Sequence, residues 1–478
     1  MKNLIGKNWV DASDGKVIEV LNPATGVLID TVPSATAEDI DLAVEEAVKA
    51  QKKWAEVPLH KRGEALLRFA SLVKLHEQEL AEVLSAETGK PIKEARNEMK
   101  NVQIAIPAFV EKAKHEYGIN IPRGIEAGQE NTVQFTVQEP LGVIAAIIPF
   151  NFPIDLFDQK VPPALLMGNA VVIKPPSSNP LTIHRLVAFL LEAGVPAGVV
   201  QVVAGSGSVA GQALAANPNV HLVSLTGSTK AGIETMKTAS EHLAHVMLEL
   251  GGNDAFILCE DGDVDLAVKE TLWGRFYNTG QVCCASKRFL IHKNVKKEYV
   301  DKLTEALKNL TVGDPLDEKT DIGCLISEEA AIEVERQVND TVAKGARIVY
   351  GGTRDGAFYA PTIIDRVTRD MDVAKDMEIF GPVVSIIEFS KLEDAIEIAN
   401  QSSFGLCGNV FSSNMKTCFK VANALEVGGA VINGASFYRS FEMPFGGWKH
   451  SGMGNEGVSS TLREMSRTKT IVLKNIME

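Results

Sequence analysis

From Leu141 onward the chain alternates short apolar runs with amphipathic stretches, and this alternation restricts the possible folds more than any other feature of the sequence. The runs 141–148, 170–173, 198–203, 220–225 and 245–250 read as strands, and helical patterns begin near Pro180, Ser208 and Lys230 between them. Strands that alternate with helices in this way build a parallel sheet with right-handed crossovers. After Gly251-Gly252 the alternation restarts, with strand-like Ala255–Leu258, a helix from Asp263, strand-like Phe289–His292 and a helix from Asn294. A second α/β lobe is therefore expected, and 478 residues are too many for one compact core.

The first hundred residues read mainly as helices. Thr36 and Asp39 stand at capping-box spacing, and Ile40, Val44, Ala47 and Val48 follow with helical period. A second helix is expected over about Lys61 to Glu87, stopped by Gly89 and Pro91. Two segments fit neither βα series: residues 117–140, polar and partly alternating, and the β-like run Thr468–Leu473. They read either as an arm that adds strands to a neighbouring subunit or as a surface ribbon.

Composition excludes several functions. The formal charge of −13, with no basic run, argues against general affinity for nucleic acid or for an anionic membrane. No segment reaches the roughly 18 continuous apolar residues of a spanning helix, and residues 1–16 show no secretory signal. The six cysteines are scattered, with none in a CxxC pair, which points to reduced thiols in the cytoplasm and to neither a disulfide framework nor a metal site.

Three residues invite a chemical reading. Cys283, in Gly280-Gln281-Val282-Cys283-Cys284, follows a helical pattern that ends near Asn278. It is either a small buried hydrophobe or a thiol that its turn and a nearby base activate. Glu249 ends an apolar strand ahead of Gly251-Gly252, where it either caps or pairs locally or serves as a general base that the glycines allow other groups to approach. Asn151, in Pro149-Phe150-Asn151-Phe152-Pro153, is either an Asx turn or a neutral donor for an oxyanion. Gly205-Ser206-Gly207 with Gly211 misses the dinucleotide fingerprint by one residue, and Leu225-Thr226-Gly227-Ser228 and Lys174-Pro175-Pro176-Ser177 close two further strands. Three polar turns at the ends of one sheet suit a nucleotide crevice.

Taken in order, seven segments resemble the aldehyde dehydrogenase superfamily. They are Pro149–Pro153, Lys174-Pro175, Leu225–Ser228, Glu249–Gly252, Gly280–Cys283, Glu378-Ile379-Phe380-Gly381-Pro382, and Pro444-Phe445-Gly446-Gly447 with Ser451-Gly452. The resemblance covers essentially the whole chain. It implies two Rossmann-like α/β lobes with a β oligomerisation arm: a cofactor-binding domain of residues 1–116 and 141–251, a catalytic domain of 252–454, and an arm of 117–140 and 455–478, assembled as a homodimer or homotetramer. It further implies that Cys283 is the nucleophile, that Asn151 and the Cys283 N–H form the oxyanion hole and that Glu249 activates the hydrolytic water. Lys174 and Glu378 would then hold the two riboses of NADP or NAD, with Pro149, Ser177, Gly207, Gly227, Ser228 and Phe380 completing the cofactor site. Phe152, Gln159, Val282 and Phe445 would line the tunnel for a small aldehyde.

The chain departs from the family pattern at Ser177, where many NAD-preferring members carry Glu. A hydroxyl in that place, with Lys174 nearby, tolerates a 2′-phosphate and tilts the expectation towards NADP. Arg439 follows Phe437-Tyr438 at the tunnel border and suits a carboxylate or phosphate at the far end of the aldehyde, as in relatives acting on succinate semialdehyde, lactaldehyde or phosphorylated glyceraldehyde, or else is a surface or intersubunit arginine. Asp155 and Asp158 are acidic where relatives are often apolar. Cys284 either packs as a thiol or pairs reversibly with Cys283 under oxidation. A CoA-acylating enzyme, or a scaffold without turnover, are the alternatives that the retained Cys283, Glu249, Asn151 and Glu378 disfavour.

Overall fold

The computed structural model describes residues 1–474. Five parallel strands form the heart of the first lobe, running across the sheet as Val200–Val202, Ala170–Lys174, Val143–Ile147, Val220–Thr226 and His245–Glu249. In chain order this is 3-2-1-4-5, so the connections reverse direction between Val143–Ile147 and Val220–Thr226. Ligand crevices open at such a reversal, outside the carboxyl ends of the strands.

The strands form where the apolar runs were read, because a parallel strand covered on both faces needs an unbroken run of Val, Ile, Leu or Ala. Their residues merge with the helices of residues 37–113 and 153–192 into one core. The capping box at Thr36 and Asp39 opens the helix Ala37–Ala55, with each side chain bonded to the other residue's backbone N–H. The expected helix over Lys61 to Glu87 is two helices, Leu59–Leu75 and Glu77–Thr88. His76 leaves helical geometry between them and closes one while opening the next, and its ring packs against Phe189 at 4.9 Å. Gly89, at φ 77°, caps the second. Before the helices the chain forms two hairpins, Asn3–Ile5 with Asn8–Val10 and Val17–Leu21 with Leu28–Pro33, in a region read as mainly helical.

A seven-stranded sheet organises the second lobe, in the order Arg347–Tyr350, Thr362–Val367, Val383–Phe389, Ser286–His292, Asp254–Leu258, Cys407–Phe411 and Gly429–Ile432. Only Arg347–Tyr350 runs antiparallel. Thr132–Pro140 pairs along its whole length with Ser466–Lys474 in an antiparallel ribbon, and Asn120–Ile121 adds a third strand. Residues 475–478 of the expected arm lie outside the described residues.

One boundary is corrected. Residues 452–465, expected to divide between the catalytic domain and the arm, pack on the first lobe. Gly452–Met453 pairs with His245–Glu249 at the edge of its sheet, and Val458, Leu462 and Met465 are buried in its core. The apolar face of the short helix Val458–Glu464 is buried against that core. Among the described residues no helix is long and apolar enough to cross a membrane.

Candidate active site

Two cavities meet between the lobes. A crevice of about 740 Å³ opens at the strand reversal of the first sheet, and a tunnel of about 540 Å³ enters from the opposite side. Among the described residues, Asn151, Glu249 and Cys283 alone line both.

Cys283 is held by an unusual turn. Asn278, Thr279 and Gly280 follow the helix Val264–Phe276 with φ of 49°, 54° and 78°, three successive left-handed residues. Such geometry is costly for Asn and Thr, and it persists because surrounding bonds demand it. The Asn278 N–H donates to the Glu94 carboxyl at 2.8 Å and its side-chain amide to the Asn151 carbonyl at 2.8 Å. The guanidinium of Arg275, fully buried, donates to the carbonyls of Ile379 at 2.9 Å and Val383 at 2.6 Å and, at 3.4 Å, to that of Gly280. A Cβ on Gly280 would lie 2.3 Å from the Gly381 carbonyl oxygen, so only glycine lets the two segments meet.

Asn151 ends the connection after Val143–Ile147, immediately before the helix Pro153–Leu166. Its carbonyl accepts from Lys90 Nζ at 2.8 Å as well as from Asn278, and its amide donates to the Gln281 carbonyl at 3.1 Å. Lys90 is fully buried, forms an ion pair with Glu98 and lies 4.2 Å above the ring of Phe152. Breaking a buried pair of this kind costs about 3–5 kcal/mol, so the Asn151 backbone is firmly placed.

Glu249 is the last residue of its strand, with both carboxylate oxygens buried and without a hydrogen-bond partner. Burial, then the neighbouring Cys283 and Glu456, push its carboxyl well above the usual carboxylate range, while Lys160 pulls the other way. An orphaned carboxyl beside a cysteine is an expensive arrangement that structural economy does not explain. The Cys283 thiol is pushed well above its ordinary value by Cys284 and by burial, and Lys287 opposes that rise. Gly251 and Gly252 let these groups approach, since a Cβ on Gly251 would lie 2.5 Å from Glu378 Oε2 and one on Gly252 would lie 2.8 Å from the Cys283 carbonyl oxygen.

All the residues expected at the cofactor line the crevice: Lys174, Ser177, Gly207, Gly227, Ser228, Glu378, Phe380 and Pro149. The one-residue offset from the dinucleotide fingerprint takes the form of a π-type turn over Gly207–Gly211, in which Gly211 N reaches back to Ser206 O at 3.4 Å. A Cβ at Gly207 or Gly211 would meet nothing within 4 Å, leaving bare backbone on the crevice wall, and Ser228 caps the helix Thr229–Ser240 beside it. These features fit a dinucleotide. Ser177 donates to the Gly205 carbonyl at 2.9 Å, and burial lowers Lys174 to about 8.

Phe152, Gln159, Val282, Arg439 and Phe445 line the tunnel together. Gln159 Oε1 accepts from the Gly457 N–H at 3.1 Å, and the Arg439 guanidinium lies 4.2 Å above the Phe445 ring while donating to Glu456 at 3.2 Å. Arg439 Nε is buried without a partner. Burial and Glu98 raise Asp155 to about 7, so half of its charge is gone near neutral pH.

Several residues of the site escape a reading of the sequence. Lys160 and Glu456 form a buried pair at 2.5 Å that reaches Glu249 electrostatically, and Lys287 and the Lys90–Glu98 pair hold the flanking backbone. Lys90 carries one recognisable signal, a lysine in the tight turn between Gly89 and Pro91, but the partners of Lys90 and Lys160 are visible only in three dimensions.

A sequence model described as the aldehyde dehydrogenase family matches residues 9–471, and the chain belongs to that family. It is 39% identical over 456 residues to the 3-sulfolactaldehyde dehydrogenase of Priestia megaterium, covering 95% of this chain and 94% of that one. The NADP(+) succinate-semialdehyde dehydrogenase of Escherichia coli is 38% identical over 457 residues, with 95% and 94% covered. The crystal structure of an Escherichia coli NADP-dependent enzyme superposes with a TM-score of 0.95 at 36% identity, covering 99% of this chain and 98% of that one. The protein is accordingly an oxidoreductase that oxidises an aldehyde with a nicotinamide cofactor, NAD or NADP.

The turn before Cys283 is the tightest constraint in the site. Gly280→Ala is expected to destabilise the protein by about 1–3 kcal/mol and to make Cys283 more readily alkylated, as thermal melting and the rate of iodoacetamide labelling would show. An unchanged melting temperature and labelling rate would mean that the Gly381 segment yields without cost.

Proposed function

We propose that this chain oxidises a short aldehyde with an anionic or hydroxylated far end, of the succinate semialdehyde or lactaldehyde kind, to its carboxylic acid through a thioester on Cys283. The observation that carries the reading is the seam between crevice and tunnel, lined on both sides by Asn151, Glu249 and Cys283 alone. An aldehyde in the tunnel and a nucleotide in the crevice can meet at no other side chains.

The Cys283 thiolate attacks the carbonyl carbon, and Asn151 Nδ2, released from the Gln281 carbonyl, donates to the oxygen as its charge grows. Lys174, Glu378 and the Gly207 and Gly227 turns would hold a nicotinamide dinucleotide, which would supply the hydride acceptor needed to take the thiohemiacetal on Cys283 to a thioester. Glu249 then takes a proton from water as the water attacks the thioester carbon. The carbon–sulfur bond breaks, and acid and thiol are released. Lys160 lowers the cost of charging Glu249, and Glu456 holds Lys160 in place.

NADP is the favoured cofactor. Position 177 carries no carboxylate to repel a 2′-phosphate, and a phosphate beside Lys174 would restore the charge that burial suppresses. The relatives include an NADP(+) enzyme. Six unpaired cysteines agree with a reducing cytoplasm. Tyr117, Ile119, Val472 and Leu473, all exposed on or beside the ribbon, support a homodimer or homotetramer built on it.

Three outcomes test this reading. Glu249→Gln should release about one equivalent of reduced nucleotide per Cys283 in a burst and then turn over about 10²-fold more slowly or worse, because the thioester forms but is not hydrolysed. An unchanged steady state would remove Glu249 from the mechanism. Arg439→Ala should raise KM for succinate semialdehyde about tenfold or more and leave that for an uncharged aldehyde of equal length nearly unchanged. The change also frees Glu456, so kcat falls for both substrates and the contrast in KM is what reads the contact. Ser177→Glu should lower kcat/KM for NADP about tenfold or more while sparing NAD, and a parent enzyme that strongly prefers NAD would reverse the cofactor assignment.

A further inference from the structure

The crevice reading gives Glu378 to a ribose and the seam reading gives Cys283 to the aldehyde, yet one side chain binds both. Lys287 is the second residue of the strand Ser286–His292, four positions after Cys283, and is only 1% exposed. Its ammonium donates to the Cys283 carbonyl at 2.6 Å and stands 3.2 Å from Glu378 Oε1. Its remaining surroundings are apolar or acidic: the Phe380 ring centroid is 5.8 Å away, and the buried Asp254 feels its charge.

We propose that Lys287 is a positioning residue for the nucleophile, fixing the Cys283 backbone and supplying the positive charge under which its thiolate forms, with Glu378 as the counterion that limits this effect. The proposal rests on Cys283 being the nucleophile. The geometry favours an electrostatic role over a purely mechanical one. A neutral donor would hold a carbonyl equally well, whereas a buried ammonium is retained at a cost that only its charge can offset. Cys284, Glu249 and Lys287 act on the thiol directly, while the tunnel's other cations are Lys100 and Arg439, the latter paired with Glu456. Around the ammonium stand Glu378 and Asp254. Removing Lys287 therefore takes away the cation bonded at the Cys283 backbone, and removing the Glu378 charge leaves that ammonium less neutralised. The two substitutions should move the thiol in opposite directions.

The test is the pH profile of iodoacetamide alkylation at Cys283 in the full-length chain without nucleotide, from about pH 6 to pH 10, with the site of labelling confirmed by peptide mass spectrometry. Lys287→Met should move the midpoint up by about one pH unit, Lys287→Arg should return it to the parent value, and Glu378→Gln should move it down. A Met variant with the parent midpoint, or Met and Arg variants displaced equally, would overturn the proposal, since packing alone would then account for the residue. Should the Met variant fail to fold, as circular dichroism would reveal, the remaining pair decides: the Arg variant must keep the midpoint while Glu378→Gln lowers it, and an unmoved Glu378→Gln midpoint refutes the coupling. Failure of the underlying reading shows separately, as aldehyde oxidation that survives Cys283→Ala.

Discussion

The arrangement of this site follows from the expense of burying charge. Lys90, Lys160 and Lys287 are each within 1% of complete burial, and each finds an acid: Glu98 and Glu456, both buried, and Glu378, half-buried at the crevice. A buried ammonium without its partner costs several kcal/mol, so the three acids cannot drift from the lysines. Each pair also anchors something the chemistry uses. Lys90 holds the Asn151 carbonyl, Lys160 biases Glu249, and Lys287 holds the Cys283 carbonyl. The pairs buttress the site, and they explain how a thiol and a carboxyl that both resist ionisation can sit side by side.

The same expense bears on the tunnel. Arg439 shares Glu456 with Lys160, so a cation that lines the tunnel is linked through one carboxylate to a cation that acts on Glu249. An anion reaching Arg439 meets a tunnel wall in which Asp155 is pushed towards neutrality by burial and by Glu98, and Asp158 behind it by burial and by Asp155. The acidic residues that complicate an anion-binding reading on paper therefore carry less charge in place than their identity suggests.

Much of this was legible in the residues. The five parallel strands of the first lobe were readable because each is an unbroken apolar run, and the capping box because both partners lie within one turn. The break at His76 was not, since neither Gly nor Pro marks it and tertiary contact with Phe189 holds it. The hairpins before residue 34 are short and half exposed, with too little periodicity to stand out. Asn151, Glu249 and Cys283 could be singled out because each sits in a short motif of small or turn-forming residues. Lys160 and Glu456 could not, being 296 positions apart, and nothing local marks Lys287 as bonded to the nucleophile.

The seam between the lobes also fixes how the reaction geometry is maintained. Asn151 belongs to the first lobe, yet its carbonyl is held by Asn278 of the second and its amide by the Gln281 carbonyl. The strand that ends in Glu249 is flanked by Gly452–Met453, which returns from the far end of the chain. Sliding one lobe against the other would break all of these contacts at once, so Cys283, Asn151 and Glu249 are placed before any ligand arrives. The crevice is built from strand ends and bare glycine backbone, which topology dictates, whereas the tunnel is built from side chains of residues 152–159 and 437–445. A change of aldehyde therefore needs only new side chains on the tunnel wall. A change of chemistry would require undoing the buried pairs that hold the seam.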